Sequence, residues 1–394
     1  MGGDDCYLGI CPNLLYHKHK EFIIEEKERL AQLLHEAYRK ARLAKRGTAD
    51  EQRFEMCLTM NLSQLCDEIC ARTYKPSRGI AFIIRNPVIR EIFAAPFRDR
   101  VVHHLLYNFV AGWWDRRFIY DNYSCRVGKG TLFGVDRLRH HMMSVSRNGQ
   151  LEAWVLKLDI QGYFMSLPRD KLYERALWGL LRQYGKDAWE YKVCKYLWRE
   201  VIFDDPTVGV QVRGSKRDWA DLPKSKSLFC AKPGSGIVIG NLTSQLLSNI
   251  YLDQLDRFVR YELQFEHYGR YVDDFYLVST DKAELVEAVS EIKAYLAGIG
   301  LKLHPKKKFL QEMHKGVPFL GAVVYPYRTH PGRRAKVNFG KSARKYYLAG
   351  GGGLDGGSPE AVSFTSYHGL TVHYRHYKLW ENVAAVAADI ATPV

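Results

Sequence analysis

Residues 271–278 read Tyr-Val-Asp-Asp-Phe-Tyr-Leu-Val, and they are the most informative stretch of this chain. Apolar residues lie on both sides of a central acidic pair, and aspartate is favoured in turns but disfavoured inside strands. The pattern therefore predicts two short strands joined by a tight turn. Asp273 and Asp274 would lie at the tip of that turn.

A third aspartate follows a similar apolar run. Residues 154–158 are apolar except for Lys157, and they lead directly into Asp159. Short apolar runs of this kind are typical of buried strands. We therefore expect Asp159 at the end of a strand in the core of the protein.

Helical periodicity accompanies these strands. Apolar residues recur at spacings of three and four in residues 243–263 and again in residues 282–296. The resulting order is strand, helix, helix, hairpin, helix, strand. This order predicts an α+β fold in which helices pack on one face of a sheet.

The N-terminal half and the middle of the chain have distinct patterns. Residues 21–46 have the periodicity of an amphipathic helix. Residues 80–97 suggest a short hairpin whose polar face carries Arg85 and Arg90. Asp, Pro, Gly, Ser and Lys dominate residues 203–235, so we expect an exposed basic insertion there rather than core.

The C-terminal part begins with a flexible joint. Glycines fill positions 350–353 and 356–357, and such composition is typical of flexible linkers. Residues 364–390 are again helical in pattern. They would form a small separate helical lobe.

Composition limits the class of protein. A chain of 394 residues with 46% apolar content can bury a large core, and we expect two or three subdomains. Its net charge of +15 favours polyanionic partners, nucleic acid first, although a merely soluble basic surface is the alternative. Eight scattered cysteines fit a reducing cytoplasm without structural zinc. No run of 18 apolar residues occurs, so we expect a soluble protein with no membrane partner.

The three aspartates suggest a metal-dependent reaction. Nucleotidyl transfer uses two divalent ions about 4 Å apart, one at the attacking 3′-oxygen and one at the leaving pyrophosphate. Mg²⁺ prefers oxygen ligands, and Mn²⁺ can substitute. Asp159 and Asp273 would bridge both ions, Asp274 would assist, and the carbonyl of Ile160 would add a ligand. An isolated Asp-Asp pair is more often a solvated turn, but all three aspartates together favour the metal site.

These residues resemble a known family. Tyr271 to Asp274 look like the Tyr-x-Asp-Asp box of reverse transcriptases, and residues 158–160 with Tyr163, Phe164 and Ser166 are similar to that family's first catalytic motif. The resemblance implies a right-hand polymerase fold with fingers, a palm whose antiparallel sheet is backed by helices, and a small helical thumb. The corresponding parts are an N-terminal helical arm (1–75), fingers (76–150), palm with the basic insertion (151–325), and thumb with C-terminal helices (326–394).

A second motif narrows the resemblance. Residues 240–245 read Gly-Asn-Leu-Thr-Ser-Gln, which resembles the Ser-Gln form of the template-handling motif in diversity-generating retroelement enzymes. Further similar segments are residues 97–104, 126–130, 224–229, 319–321 and 366–370. Together the resemblance covers roughly residues 35–380.

The resemblance implies roles in dNTP binding. Phe164 would lie under the incoming sugar and exclude a 2′-hydroxyl, although an ordinary core phenylalanine fits the pattern equally well. Gln245 would contact the nascent base pair. Arg85 and Arg90 would clamp the triphosphate. The chain departs from the family here, because Val88 stands where a lysine usually follows the proline, so the clamp is open among Arg85, Arg90 and Arg98, with a solvated face as the alternative.

Further residues would contact template and primer or act on the leaving group. Lys307 is the candidate to protonate pyrophosphate, with a phosphate-contacting lysine patch as the alternative. Ser244 can instead cap a helix, and the C-terminal tyrosines can instead be core. The candidate template and primer contacts are Arg98, Arg126, Lys129, Asn241, Ser244, Phe319, Leu320, Gly321, Tyr367, His373, Tyr377 and Lys378.

The sequence-based hypothesis is an RNA-directed DNA polymerase that uses dNTPs to make cDNA on a template RNA. Retroelement membership implies a structured template RNA, a small basic accessory protein oligomer, error-prone synthesis, and the cytoplasm of a bacterial or phage-infected cell. Two alternatives stay open. One is a defence-associated reverse transcriptase that makes repetitive or untemplated DNA against phage, and the other is an inactive nucleic-acid-binding scaffold.

Overall fold

The computed structural model describes residues 12–43, 47–85, 88–375 and 377–391. The beginning of the predicted N-terminal arm, Pro87 and the last three residues lie outside them. The chain is a mixture of helices and sheets that divides into two compact units. The first unit contains Met1–Phe118, Gly162–Gln254 and Ile299–Leu301, and the second contains Ile119–Gln161, Leu255–Gly298 and Lys302–Val394.

The regular elements are numbered along the chain. The helices are α1 (Pro12–Leu43), α2 (Ala49–Met56), α3 (Leu58–Cys70), α4 (Phe97–Arg117), α5 (Thr131–Val145), α6 (Tyr163–Ser166), α7 (Arg169–Tyr184), α8 (Trp189–Phe203), α9 (Leu242–Arg257), α10 (Lys282–Gly298), α11 (Arg333–Leu348), α12 (Pro359–Thr371) and α13 (Tyr377–Ala391). The strands are β1 (Ile80–Ile84), β2 (Arg90–Ala94), β3 (Trp154–Asp159), β4 (Gln211–Val212), β5 (Tyr268–Tyr271), β6 (Asp274–Ser279), β7 (Phe309–Glu312), β8 (Val317–Phe319), β9 (Ala322–Val324) and β10 (Thr329–Pro331).

The first unit combines helices with a small sheet. Its strands are ordered β2-β1-β4, with β1 and β2 antiparallel and β4 parallel to β1. Helix α1 packs along α4, and α7 packs against α8. The predicted hairpin in residues 80–97 is therefore confirmed as β1 and β2, which α4 follows.

The predicted basic insertion is only partly exposed. Leu228 is buried and packs with Ala81 and Phe93. The buried Glu91 carboxylate accepts hydrogen bonds from Trp219 Nε1, Ser227 Oγ and the backbone N–H of Leu228. The prediction that residues 203–235 lie outside the core is wrong for this part, because a buried carboxylate must be satisfied by hydrogen bonds.

The second unit is built on a four-stranded antiparallel sheet of order β5-β6-β3-β7. Strands β8, β9 and β10 form a second antiparallel sheet. Apolar residues of α5 pack against Val155, Tyr276 and Val278, which lie on one face of the larger sheet. Helix α10 packs against β6.

The strand predictions around the aspartates are confirmed. Residues 154–159 form β3, and residues 271–278 contain the end of β5, a two-residue turn and β6. The predicted helix 282–296 is α10, whereas the predicted helix 243–263 is α9 followed by one π-helical turn at Phe258–Glu262. The predicted C-terminal helical segment is two helices, α12 and α13. In the part of the chain that the structure describes, no helix is long and apolar enough to cross a bilayer.

Candidate active site

Strand pairing brings the three aspartates to one end of the sheet. Asp159, the last residue of β3, is directly opposite Asp274, the first residue of β6. Directly opposite residues of antiparallel strands point to the same face, with Cβ atoms about 5 Å apart. Asp273 precedes Asp274 in the turn between β5 and β6. Residues separated by more than a hundred positions therefore form one acidic group within the second unit.

The electrostatics of this group follow from crowding and burial. Burial raises the pKa of Asp273 to about 6, and the neighbouring Asp159 carboxylate acts in the same direction. Burial also raises the pKa of Asp274, whereas the Lys157 ammonium partly opposes that rise. These carboxylates lie close enough together that positive charge beside them is strongly favoured.

Two lysines supply positive charge at the acidic group. Lys307 Nζ lies 2.7 Å from Asp159 Oδ2, and Lys157 Nζ lies 3.6 Å from Asp274 Oδ2. Lys157 also donates a hydrogen bond of 3.0 Å to the carbonyl of Pro318. Lys157 is not among the predicted site residues, although the sequence contains a signal for it. It is the single charge in an otherwise apolar strand before Asp159.

Backbone pairing explains the position of Lys307. The N–H of Gln161 donates to the carbonyl of Lys302 at 2.8 Å, and the N–H of His304 donates to the carbonyl of Asp159 at 2.8 Å. An isolated bridge between Ile160 and Leu303 lies between these bonds. The segment that leads to the lysine cluster therefore runs beside the end of β3.

The donor set suits a divalent cation. All three side chains offer hard carboxylate oxygens, and Asp274 Oδ1 is buried without a hydrogen-bond partner. A buried carboxylate oxygen without a partner is unfavourable unless something binds it. Among the described residues, no three His, Cys, Asp or Glu side chains are already arranged around one point as metal ligands. The residues fit Mg²⁺ or Mn²⁺ in kind, with Lys157 and Lys307 beside the carboxylates that would bind it.

Arg270 anchors the strand that leads into the acidic turn. Its guanidinium group makes two hydrogen bonds of 2.6 Å to the Asp256 carboxylate, and both side chains are fully buried. Tyr268 also donates to Asp256, at 2.7 Å. Arg270 and Asp256 are not among the predicted site residues, because a buried ion pair leaves no local sequence pattern.

The predicted primer-contacting turn lies in the second unit. Phe319 is buried and meets the Tyr276 ring edge-on, with ring centroids 5.1 Å apart, so its side chain is a core contact. Leu320 and Gly321 join β8 to β9 with φ values of +46° and +85°, and positive values at both central residues are typical of tight hairpin turns. The carbonyl of Gly321 accepts a hydrogen bond from Gly332.

The other predicted template contacts of the second unit are more exposed. Arg126 donates to the carbonyls of Ile119 and Asn122. Lys129 Nζ lies 4.2 Å from the centroid of the Tyr120 ring. The exposed residues among the C-terminal candidates are His373, Tyr377 and Lys378, whereas Tyr367 packs partly buried against the Phe339 cluster.

The remaining predicted site residues belong to the first unit, so the structure does not join them to the aspartates within one compact unit. Phe164 is half-buried against the cluster that contains Phe93 and Leu228, which is the core alternative, and its role beneath the sugar stays a prediction. Gln245 is exposed, Ser244 is buried, and Asn241 is half-buried.

Two of the three candidate clamp arginines are paired with carboxylates. Arg85 makes ion pairs with Asp221 at 2.9 Å and Asp218 at 3.6 Å. Arg98 pairs with Glu68 and Asp99, and it also lies over the Tyr74 ring. Arg90 is exposed at the start of β2. The choice among these arginines stays a prediction.

One protein family matches part of this chain. Residues 222–324 match the family model described as reverse transcriptase (RNA-dependent DNA polymerase). The matched segment includes Asp273, Asp274 and Lys307. A curated relative, Protein YkfC of Escherichia coli (strain K12), is 23% identical over 317 residues, which are 71% of this chain and 75% of that protein. A segment of reverse-transcriptase type is therefore present in this chain.

Solved structures with detectable similarity include telomerases. The telomerase of Candida tropicalis in complex with a fragment of telomeric RNA is 11% identical, with a TM-score of 0.48 over 80% of this chain and 55% of that chain. The telomerase of Candida albicans in complex with such a fragment is 12% identical, with a TM-score of 0.43 over 81% of this chain and 61% of that chain. The chain thus spans less than two thirds of these telomerase chains.

Proposed function

We propose that this chain is an RNA-directed DNA polymerase in which Asp159, Asp273 and Asp274 bind the catalytic divalent ions. The observation that carries the proposal is the register of β3 and β6, which sets Asp159 opposite Asp274 beside the turn that holds Asp273. The match of the surrounding segment to reverse transcriptases supports the choice of reaction.

Metal binding and proton donation would be performed by different residues of the chain. When bound, a pair of Mg²⁺ ions supplies Lewis-acid activation of the primer 3′-oxygen and stabilises the leaving pyrophosphate. Asp159, Asp273 and Asp274 would hold these ions, with the carbonyl of Ile160 as a further ligand. Lys307, which lies 2.7 Å from Asp159, would release that carboxylate and donate a proton to pyrophosphate.

The remaining candidate roles complete the proposal. Phe164, Gln245 and the arginines at positions 85, 90 and 98 would bind the dNTP, and the turn at residues 319–321 would contact the primer. Fingers, palm and thumb would be the functional division of the chain. Clustered lysines and arginines and a net charge of +15 support binding of template RNA and cDNA.

We further propose that the enzyme serves a diversity-generating retroelement in a bacterial or phage-infected cell. The support is the Gly-Asn-Leu-Thr-Ser-Gln sequence at residues 240–245. A structured template RNA, a basic accessory oligomer and error-prone synthesis would follow from that membership. Sequencing the RNA that copurifies with the protein, and the cDNA made from it, would test this assignment, and cDNA without a defined template would favour the defence alternative.

Extension of a DNA primer on an RNA template tests the polymerase assignment. The wild-type chain should incorporate dNTPs when Mg²⁺ is added, and Asp273→Asn should abolish incorporation without weakening binding of the primed RNA. Asp187→Asn is the matched control, because Asp187 is an exposed aspartate of the first unit. Wild-type activity in Asp273→Asn would remove the assignment, and absence of extension by the wild type would favour the inactive scaffold.

A further inference from the structure

The acidic turn is held at three backbone atoms by groups outside it. The N–H of Val272 donates to Ser124 Oγ at 3.2 Å, and the carbonyl of Val272 accepts from Arg270 Nη1 at 3.0 Å. The carbonyl of Asp273 accepts from the N–H of Ile160 at 3.2 Å. Both peptide groups beside the Asp273 side chain are therefore restrained.

Val272 has an unfavourable backbone conformation. Its φ is +57°, in the left-handed region that β-branched residues rarely adopt. Glycine is the usual residue at the first central position of a two-residue hairpin turn with a positive φ there. A strained residue persists where its surroundings over-determine the conformation, and such residues are concentrated at functional sites.

Ser124 is itself placed by backbone pairing. The N–H of Tyr123 donates to the carbonyl of Arg270 at 2.9 Å, and the N–H of Arg270 donates to the carbonyl of Asp121 at 2.9 Å. The segment of residues 121–124 therefore runs beside the outer edge of β5, and Asn122 is bridged to Arg270. Ser124 is fully buried at the end of this segment. Backbone pairing and burial therefore place its hydroxyl group beside the N–H of Val272.

We propose that Ser124 is a positioning residue for Asp273. Its hydroxyl group accepts the Val272 N–H, which keeps Val272 in the left-handed conformation, and this conformation orients the Asp273 carboxylate that follows. Without the hydroxyl group, Val272 relaxes toward an extended conformation and the Asp273 side chain turns away from Asp159. The inference rests on the proposed function, because a change in the orientation of the Asp273 carboxylate would be detected as a change in kcat for dNTP incorporation.

A double-mutant cycle between positions 124 and 272 tests the proposal. Ser124→Ala should lower kcat for dNTP incorporation about tenfold, the value of one lost hydrogen bond at its upper range, with an unchanged KM for dNTP. Mn²⁺ binding to the protein, followed by electron paramagnetic resonance without nucleic acid, should weaken by a similar factor. In a Val272→Gly background the same serine substitution should cost less than about twofold, because glycine adopts a positive φ without strain.

Ser146→Ala is the matched control. Ser146 is a fully buried serine of the same unit whose hydroxyl group accepts the N–H of Gly149 at 2.9 Å. It should lower the midpoint of urea unfolding while kcat and Mn²⁺ affinity stay at the wild-type values.

Three results would overturn the inference. The first is a Ser124→Ala variant that loses stability but keeps the wild-type kcat, as is expected of Ser146→Ala. The second is an equal loss of kcat from Ser124→Ala in the wild-type and Val272→Gly backgrounds, and the third is unchanged Mn²⁺ binding by Ser124→Ala. If the wild type itself extends no primer, the proposed function fails, and the Mn²⁺ titrations of the four cycle members still decide whether Ser124 positions Asp273.

Discussion

Lys157 is placed to compete with cations for the acidic group. Its ammonium group lies between Asp274 Oδ2 and the carbonyl of Pro318, and both charged side chains are largely shielded from solvent. A lysine and a divalent ion cannot both approach the same carboxylate oxygen closely, because their charges repel. Lys157 therefore stabilises the acidic group and would oppose the proposed metal binding.

We expect Lys157→Met to tighten Mn²⁺ binding by about fivefold, which corresponds to about 1 kcal/mol for removal of a partly shielded charge. Isothermal titration of the protein with Mn²⁺ would measure the change, and high salt should reduce it. Lys306→Met, at an exposed lysine of the same cluster as Lys307, is the control and should leave the affinity within about twofold. Weaker Mn²⁺ binding by Lys157→Met would contradict this account.

The buried pair of Arg270 and Asp256 supports the strand before the acidic turn. Asp256→Asn removes one charge and leaves the Arg270 guanidinium buried without compensation. We expect a loss of about 3–5 kcal/mol in the free energy of unfolding, measured by urea titration. Asp67→Asn changes an exposed ion pair, Lys27 to Asp67 at 2.6 Å, and should cost much less unfolding free energy, because solvent screens exposed charges. Equal losses of unfolding free energy in the two variants would show that burial does not determine the contribution of the Arg270–Asp256 pair.

At the scale of elements, helix α7 approaches α4 through a glycine. A Cβ atom built on Gly179 would lie 2.5 Å from the Trp114 ring, which is closer than atoms can approach without displacement. Trp114 is fully buried, so its ring cannot move into solvent. The absence of a side chain at Gly179 is thus required by the packing of the two helices.

Gly179→Ala should therefore destabilise the protein by about 1–3 kcal/mol through overpacking, even though alanine is the better helix former. Gly340→Ala on α11 is the opposite case, because a Cβ atom there meets nothing within 4 Å. It should stabilise by up to about 1 kcal/mol. Thermal unfolding of both variants checks the two signs, and destabilisation by both would point to the backbone instead of to Trp114.

Sequence periodicity predicted some elements well because their patterns are local. Local apolar patterns predicted strand β3, the β5–β6 hairpin and helix α10, and the structure contains all three. The burial of Leu228 was not predictable, because it depends on Glu91, more than a hundred residues earlier. The acidic group follows from three aspartates at strand ends, and Lys157 is visible as the single charge in the apolar strand before Asp159. Ser124 instead acts through a long-range contact with Val272 that no nearby pattern reveals.

At the scale of the whole molecule, buried histidines make stability depend on pH. Burial lowers the pKa of His103 to about 3, and it also lowers the pKa values of His104, His141 and His267. An unfolded histidine titrates near 6.5. Between these values the unfolded chain binds more protons than the folded chain, so acidification favours unfolding.

His103→Gln should remove one such contribution. Relative to this variant, the wild type should lose about 1.4 kcal/mol of unfolding free energy for each pH unit below about 6.5, until the pH approaches 3. Urea titrations at several pH values give the slope. If the free energy of unfolding had the same pH dependence in the wild type and in His103→Gln, burial of His103 would not contribute to the acid sensitivity.

The sequence does not indicate which stretches of the chain form each of the two compact units. The predicted arm, fingers, palm and thumb are continuous stretches, and they stay predictions of function. The two compact units instead draw on alternating stretches, which only long-range contacts define. Periodicity and composition describe neighbours along the chain, so they carry no information about such alternation.

The chain crosses from one unit to the other after Phe118, Gln161, Gln254, Gly298 and Leu301. No single cut therefore releases either unit intact, and expressing one half of the gene would yield two incomplete cores. During translation, the first unit lacks its final segment until residue 301 has left the ribosome. Chaperone demand should consequently fall late in synthesis, and ribosome-bound fragments that end before this point should be sensitive to protease.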